Sequence, residues 1–284
     1  MQRRPPDPLL WMRHHADVGY THFYIRLEDT DELKPQLEEQ ARALSKGRKE
    51  PVVAYVELGS VNRKGEDNYT DIMTRQQEFV NRMITKARED GVEWIAHIDD
   101  DEVLHPRGGH SSWAQVFQGV KPECASVHLK NWEGFSPELP TGSWLTDPGV
   151  RYLPSSCGHL FAAYGNGKSV SRTAPGQQAR GVHHFGGGKE CELPEEAGIV
   201  LHHDSLAMGP NDLPPKKWVE KNALRAGSDM SKVPFQATID SVEAVKSGDT
   251  RRQREVWERY RSQVGARYGQ CPNPVALKLP SHKY

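Results

Sequence analysis

The chain has 284 residues, a formal net charge of -1, 36% hydrophobic residues and a mean hydropathy of -0.74. A chain of this length buries a sizeable core, and seven Trp, nine Tyr and seven Phe help to fill it, which excludes global disorder. The near-neutral charge carries no footprint for nucleic acid or an anionic membrane, and no run approaches the ~20 apolar residues that cross a bilayer.

The opening MQRRPPDPLLWM has positive charge but no apolar stretch long enough for a signal peptide. The expectation is a soluble chain with no membrane segment, cytoplasmic as it stands or Golgi-lumenal had an anchor been removed. From Pro8 to Val18 a short helix is predicted, with Pro8 near its first turn and Gly19 as its stop. THFYIRL (Thr21 to Leu27) reads as a strand. A loop and a helix follow to Gly47, with Thr30 or Asp31 as candidate caps. PVVAYVEL (Pro51 to Leu58) is a nearly continuous apolar run, the pattern of a strand buried on both faces. After a polar loop, TRQQEFVNRMITKARED places Phe79, Val80, Met83 and Ile84 at helical spacing, and Asp90-Gly91 ends that helix before the strand VEWIAHI.

Strand, helix, strand, helix, strand in this order predicts an α/β fold with a mostly parallel sheet flanked by helices. Ligands of such sheets bind beyond the carboxyl ends of the strands. Downstream, Ala125 to Trp132 reads as a strand. GNGKSVSRT, GVHHFGGG and IVLHHDSL interrupt Pro- and Gly-rich loops, and helices are predicted over Pro214 to Gly227 and Arg251 to Gly269. In the second of these, Val256, Tyr260 and Val264 share one face. A single domain over residues 1–269 and an irregular tail over 270–284 are expected. Cys124, Cys157, Cys191 and Cys271 show no zinc spacing, so free thiols are expected, with two disulfides as the alternative.

Asp99, Asp100, Asp101 and Glu102 stand where the third strand ends. Alternate residues there can set two carboxylates, Asp99 and Asp101, around a hard cation such as Mg²⁺ or Mn²⁺ that keeps positions open for phosphate. In the late stretch His202-His203-Asp204 another apolar strand delivers polar groups at its end, and a neutral imidazole there offers a third ligand. His183-His184 is a second pair in a Gly-rich setting. GNGKSVSR offers Lys168 and Arg172 to a phosphate but is no P-loop, because Ala162 stands where the first glycine is required. A phosphohydrolase of the haloacid dehalogenase type also carries DxD after a strand, and Val103 fits its last position, although that family sets the motif on its first strand.

The order of these features resembles the GT-A-fold glycosyltransferases of the group that includes the family-92 and family 2-like enzymes. HHADVGYTHFYIRLEDTD, TRQQEFVNRMI, EWIAHIDDDEVL, GKSVSR, GVHHF and VLHHDSL…KKWVEKN carry it, from about His14 to Asn222. The resemblance implies a GT-A-type sheet, a UDP-sugar donor, a glycan acceptor and Mn²⁺ or Mg²⁺ bridging the diphosphate to the carboxylates. It implies Asp99, Asp101 and His202 as metal ligands, and Lys168 as the basic residue before the late strands. Asp29, Asp31 and Gln77 would lie near the nucleoside. For an inverting reaction Glu133 is the first choice of base, with Asp147 and Glu190 as alternatives. The first strand of the family is not evident before Pro8, which keeps a non-catalytic GT-A binding module as the alternative function.

Overall fold

The computed structural model describes residues 7–28, 30–59, 69–135, 145, 149–160, 166–203, 249–272, 274, 275 and 277. Helix α1 (Pro8–Asp17) starts where Asp7 accepts from the Leu10 amide, with Pro8 in the first turn. Strand β1 (His22–Glu28) and strand β2 (Val53–Gly59) pair in parallel around helix α2 (Leu33–Ser45). Helix α3 (Tyr69–Glu89) leads to β3 (Trp94–Ala96). The helix cap expected from Thr30 or Asp31 is not made: α2 begins beside Glu32 without a side-chain cap. Strand β2 also departs from expectation. Its outer edge has no neighbour among the described residues, and Val53, Tyr55 and Leu58 are 40%, 37% and 46% exposed, so it is an edge strand rather than one sealed on both faces.

Beyond β3 the sheet is mixed, which corrects the expected mostly parallel sheet. Strands β4 (Glu102–Pro106), β5 (Cys124–Leu129), β6 (Asn131–Phe135), β7 (Arg151–Leu153), β8 (Lys168–Arg172), β9 (Gln178–Arg180), β10 (His184–Gly186), β11 (Lys189–Glu192) and β12 (Gly198–His203) follow. Helix α4 (Trp113–Gln118) lies between β4 and β5, and helix α5 (Thr250–Tyr268) follows β12. Two four-stranded sheets result, β11-β5-β8-β3 and β4-β12-β6-β7. Pairing is antiparallel for β3 with β8, β5 with β8, β4 with β12 and β6 with β7, and parallel for β5 with β11 and β6 with β12. Only Lys130 separates β5 from β6, and the two strands belong to different sheets. The chain therefore steps from one sheet to the other at that residue.

Helix α1 grips β4 with polar side chains. Trp11 Nε1 donates to Glu102 O at 2.8 Å, His14 Nε2 donates to Leu104 O at 3.3 Å, and the Leu104 amide donates to His15 Nε2 at 3.2 Å. Burial holds the His15 imidazole well below its ordinary pKa, and the neighbouring His14 adds to that, so it accepts as a neutral ring. The acid-bearing turn is thus fixed from behind.

Two disulfides, Cys124–Cys191 and Cys157–Cys271, replace the expected free thiols. The stretch from Gln270 is tied back by the second disulfide and by reciprocal backbone bonds between Tyr152 and Val275 at 2.8 and 2.9 Å. The predicted helix at Pro214 to Gly227 lies outside the described residues, as do the side chains of Val256, Tyr260 and Val264.

A cavity of about 880 Å³ opens between β1 and β3. One wall is Tyr20 to Ile25 and the other Val92 to Ile98; α3 covers one side, and α1 with α4 the other. Among the described residues β1 borders only β2 and β3 borders only β8, so each turns an unpaired edge to the cavity. Tyr20 Oη, His97 Nε2 and Trp113 Nε1, all on its lining, are buried without a hydrogen-bond partner among the described residues.

Candidate active site

The turn from β3 to β4 contains Asp99, Asp100 and Asp101, closed by the Glu102 amide donating to Asp99 O at 3.3 Å. Glu102, the first residue of β4, folds back so that its Oε2 accepts from the Asp99 amide at 2.8 Å. Lys168 arrives from the start of β8, fully buried, and donates to Asp99 Oδ2 at 2.6 Å while lying 3.2 Å from Glu102 Oε2. Its approach depends on Gly167, whose φ of +67° favours glycine and where a Cβ would meet Leu129 O at 2.2 Å.

A second arm comes from β12. In the sheet register His202 stands opposite Glu102 on one side and Glu133 on the other. Its Nδ1 meets both Glu133 oxygens at 2.9 and 3.0 Å, and its Nε2 faces Asp101 Oδ2 at 3.7 Å. Glu133 is sealed at 0% exposure. A buried carboxylate holding one imidazole nitrogen fixes the ring so that the other nitrogen addresses the site, the relation found behind metal-ligating histidines.

The electrostatics set Asp99, Asp100 and Glu102 apart. For Asp99, burial works against ionisation, but the Lys168 charge and His97 outweigh it and hold the carboxyl well below its usual range. Asp100 goes the other way, driven up by burial and then by Asp101 and Asp99. Burial pushes Glu102 up to about 7 although Lys168 pulls it down. Lys168 keeps its proton against its own burial because Asp99 and Glu102 face it, and its pKa rises. His202 is likewise raised: burial opposes its charge, and Glu133 with Asp101 overcome that. Glu133 is raised by burial, opposed by His202. A cation entering here competes with the His202 proton.

Of the predicted site residues, Asp99, Asp101, Lys168, His202 and Glu133 are therefore brought together. Gln77 and Asp31 are not in this cluster. Gln77 Nε2 donates to Ala179 O at 2.9 Å, and Asn81 accepts from the Ala179 amide, so α3 holds the β9 strand. Asp31 is exposed in the turn before α2. Asp29 and Asp147 lie outside the described residues. Glu190 belongs to a separate group with His128 and His184. One residue had escaped sequence reasoning. Glu28, fully buried at the carboxyl end of β1, is held by Arg75 at 2.9 and 3.1 Å and by Arg26 at 3.2 Å. The only signal for it was an acid closing an apolar strand.

No model of a protein family matches the chain. Two Arabidopsis thaliana proteins described as glycosyltransferase-like are similar to it. One is 27% identical over 157 residues, 48% of this chain and 30% of the relative; the other is 26% identical over 158 residues, 48% and 34%. The chain spans about a third of the length of these curated relatives.

Proposed function

We propose that the chain is a metal-dependent glycosyltransferase of GT-A type, moving a hexose from a UDP-sugar to a glycan acceptor. The observation that carries this is the meeting of Asp101 with His202 at 3.7 Å beside the Lys168–Asp99 pair, at the ends of β3, β8 and β12. The glycosyltransferase-like relatives support the same reading. Asp99, Asp101 and His202 would hold Mn²⁺ or Mg²⁺, a donor set of two hard oxygens and one imidazole that suits Mn²⁺. The ion supplies Lewis-acid neutralisation of the charge on the leaving diphosphate. Lys168 keeps Asp99 ionised and lends positive charge toward the phosphates. Glu133 acts through His202 as a positioning residue; sealed behind that ring, it does not reach an acceptor hydroxyl. Asp29 and Asp31 would lie toward the nucleoside.

The cavity between β1 and β3 supports the GT-A reading. A strand laid there would join the β1-β2 pair to the sheet that ends in β3, and would meet both unpaired edges. The two disulfides fit an oxidising compartment, such as the Golgi lumen, better than the cytoplasm. Calorimetry of UDP with and without Mn²⁺ tests the function. Binding that needs Mn²⁺ and falls at least about tenfold in Asp101→Asn is expected, on the scale of one lost ligand contact. A folded protein that ignores UDP at saturating Mn²⁺ refutes it.

A further inference from the structure

We propose a second cation site, separate from the acidic turn: His128, His184 and Glu190 form a three-ligand site for a divalent ion of the Zn²⁺ class. Side chains alternate along a strand, so Val127, Leu129 and Val170 enter the core while Ser126, His128 and Ser169 stand on the opposite face of the sheet. On that face β11 sets Glu190 beside Ser126 in register. The hairpin β9-β10 lies across it and delivers His184. His128 and His184 stack at 4.9 Å with planes 17° apart, and His184 Nδ1 donates to Glu190 Oε2 at 3.0 Å.

One ligand atom from each of the three residues lies within 4.8 Å of the others, the one such group of three among the described residues. Tetrahedral Zn²⁺ with bonds of about 2.0–2.1 Å spaces its ligand atoms roughly 3.4 Å apart. The side chains of His184 and Glu190 are 46% and 28% exposed and can turn to close that difference. The carboxylate is already oriented, because Ser169 Oγ donates to Glu190 Oε1 at 2.8 Å; the same hydroxyl lies 3.1 Å from His128 Nδ1. Two imidazoles with one carboxylate favour Zn²⁺ over Mg²⁺ or Ca²⁺, and three protein ligands leave a fourth position open. The ion would clamp the β9-β10 hairpin to β5 and β11, on the other side of β8 from Lys168.

The test is titration of the folded protein with Zn²⁺, and with Co²⁺ as its visible-absorbing counterpart, followed by calorimetry and absorption. One equivalent with the spectrum of four-coordinate Co²⁺ is expected to disappear, or to weaken at least about tenfold, in both His184→Gln and Glu190→Gln. Both side chains are partly exposed, so these variants fold, which thermal melting checks. No saturable uptake by the wild type, or uptake unchanged in the two variants, overturns the site. Because the difference between wild type and variants is what is read, a cation bound at Asp101 and His202 does not enter it, and failure of UDP binding leaves it standing.

Discussion

The acidic turn and the cavity beside it are a few residues apart, yet they treat buried polar groups in opposite ways. In the turn, the buried groups that carry the site are paired with opposite charge: Lys168 with Asp99 and Glu102, Glu133 with His202. In the cavity, Tyr20 Oη, His97 Nε2 and Trp113 Nε1 have no partner among the described residues. His97 stands between the two regions, and burial, with the Lys168 charge behind it, holds its imidazole down to about 3. The difference separates a site whose buried charges are paired from one whose polar groups lack partners among the described residues. Charge in the first is costly to disturb, whereas the second should tolerate the loss of its polar atoms.

The largest effect is expected from Lys168→Met. It leaves Asp99 and Glu102 facing each other in a buried setting, and breaking such a pair costs roughly 3–5 kcal/mol. Urea unfolding should show the midpoint fall with the slope unchanged, and the loss should be smaller at pH 5 than at pH 8, because Glu102 can take up a proton. A loss of under about 1 kcal/mol would mean that the turn is solvated after all. Next comes Glu133→Gln. His202 then loses its strongest anionic partner, its raised pKa falls, and stability drops by about 1.5–3 kcal/mol. On the proposed function Mn²⁺ binds about 10–100-fold more weakly in this variant. NMR titration of the imidazole and calorimetry read the two effects separately.

Glu102 sharpens the comparison through pH. Burial holds its carboxyl at about 7, so the folded chain keeps a proton that the unfolded chain releases near the ordinary glutamate value. Its folded pKa is raised, so its contribution is complete below that ordinary value and is lost as pH climbs through about 7. Stability should decline across this window by at most about 1.4 kcal/mol per pH unit from this group. In Glu102→Gln the decline should flatten, and an unchanged slope would assign it to another group.

Much of the first half was legible because hydrophobic period and turn residues are local. Pro8, Gly19 and Asp90-Gly91 punctuate the elements where the structure has them, and a DxD at a strand end stood out. Sheet orientation was not legible, since it depends on which edges meet once β3 turns at Asp99 and β5 steps to β6 across Lys130. The partnership of Glu133 with His202 was hidden for the same reason: it exists only in the parallel register of β6 with β12, 69 residues apart. Lys168 looked like a phosphate contact in a Gly-rich turn, and burial made it the counterion of Asp99. The paired His14 and His15 carried no signal of their grip on the Leu104 backbone. Cysteine spacing could not choose partners, because loop closures of 67 and 114 residues leave no local trace.

The smallest effect, and the one that decides whether the two regions truly differ, is expected from Tyr20→Phe. Burial pushes the Tyr20 hydroxyl pKa up, and the group has no partner among the described residues. Removing a buried, unpaired hydroxyl should leave stability within about 1 kcal/mol of the wild type or raise it. Thr173→Val is the matched control, because Thr173 Oγ1 donates at 2.6 Å to the carbonyl of Val92, which lines the far wall. Deleting a donor that is used strands the carbonyl and should cost about 1–3 kcal/mol. If both substitutions cost the same, Tyr20 has a partner after all, and the cavity is as fully satisfied as the turn. If only Thr173→Val is costly, the Tyr20 hydroxyl is buried unpaired, and the cavity treats its polar groups unlike the acidic turn.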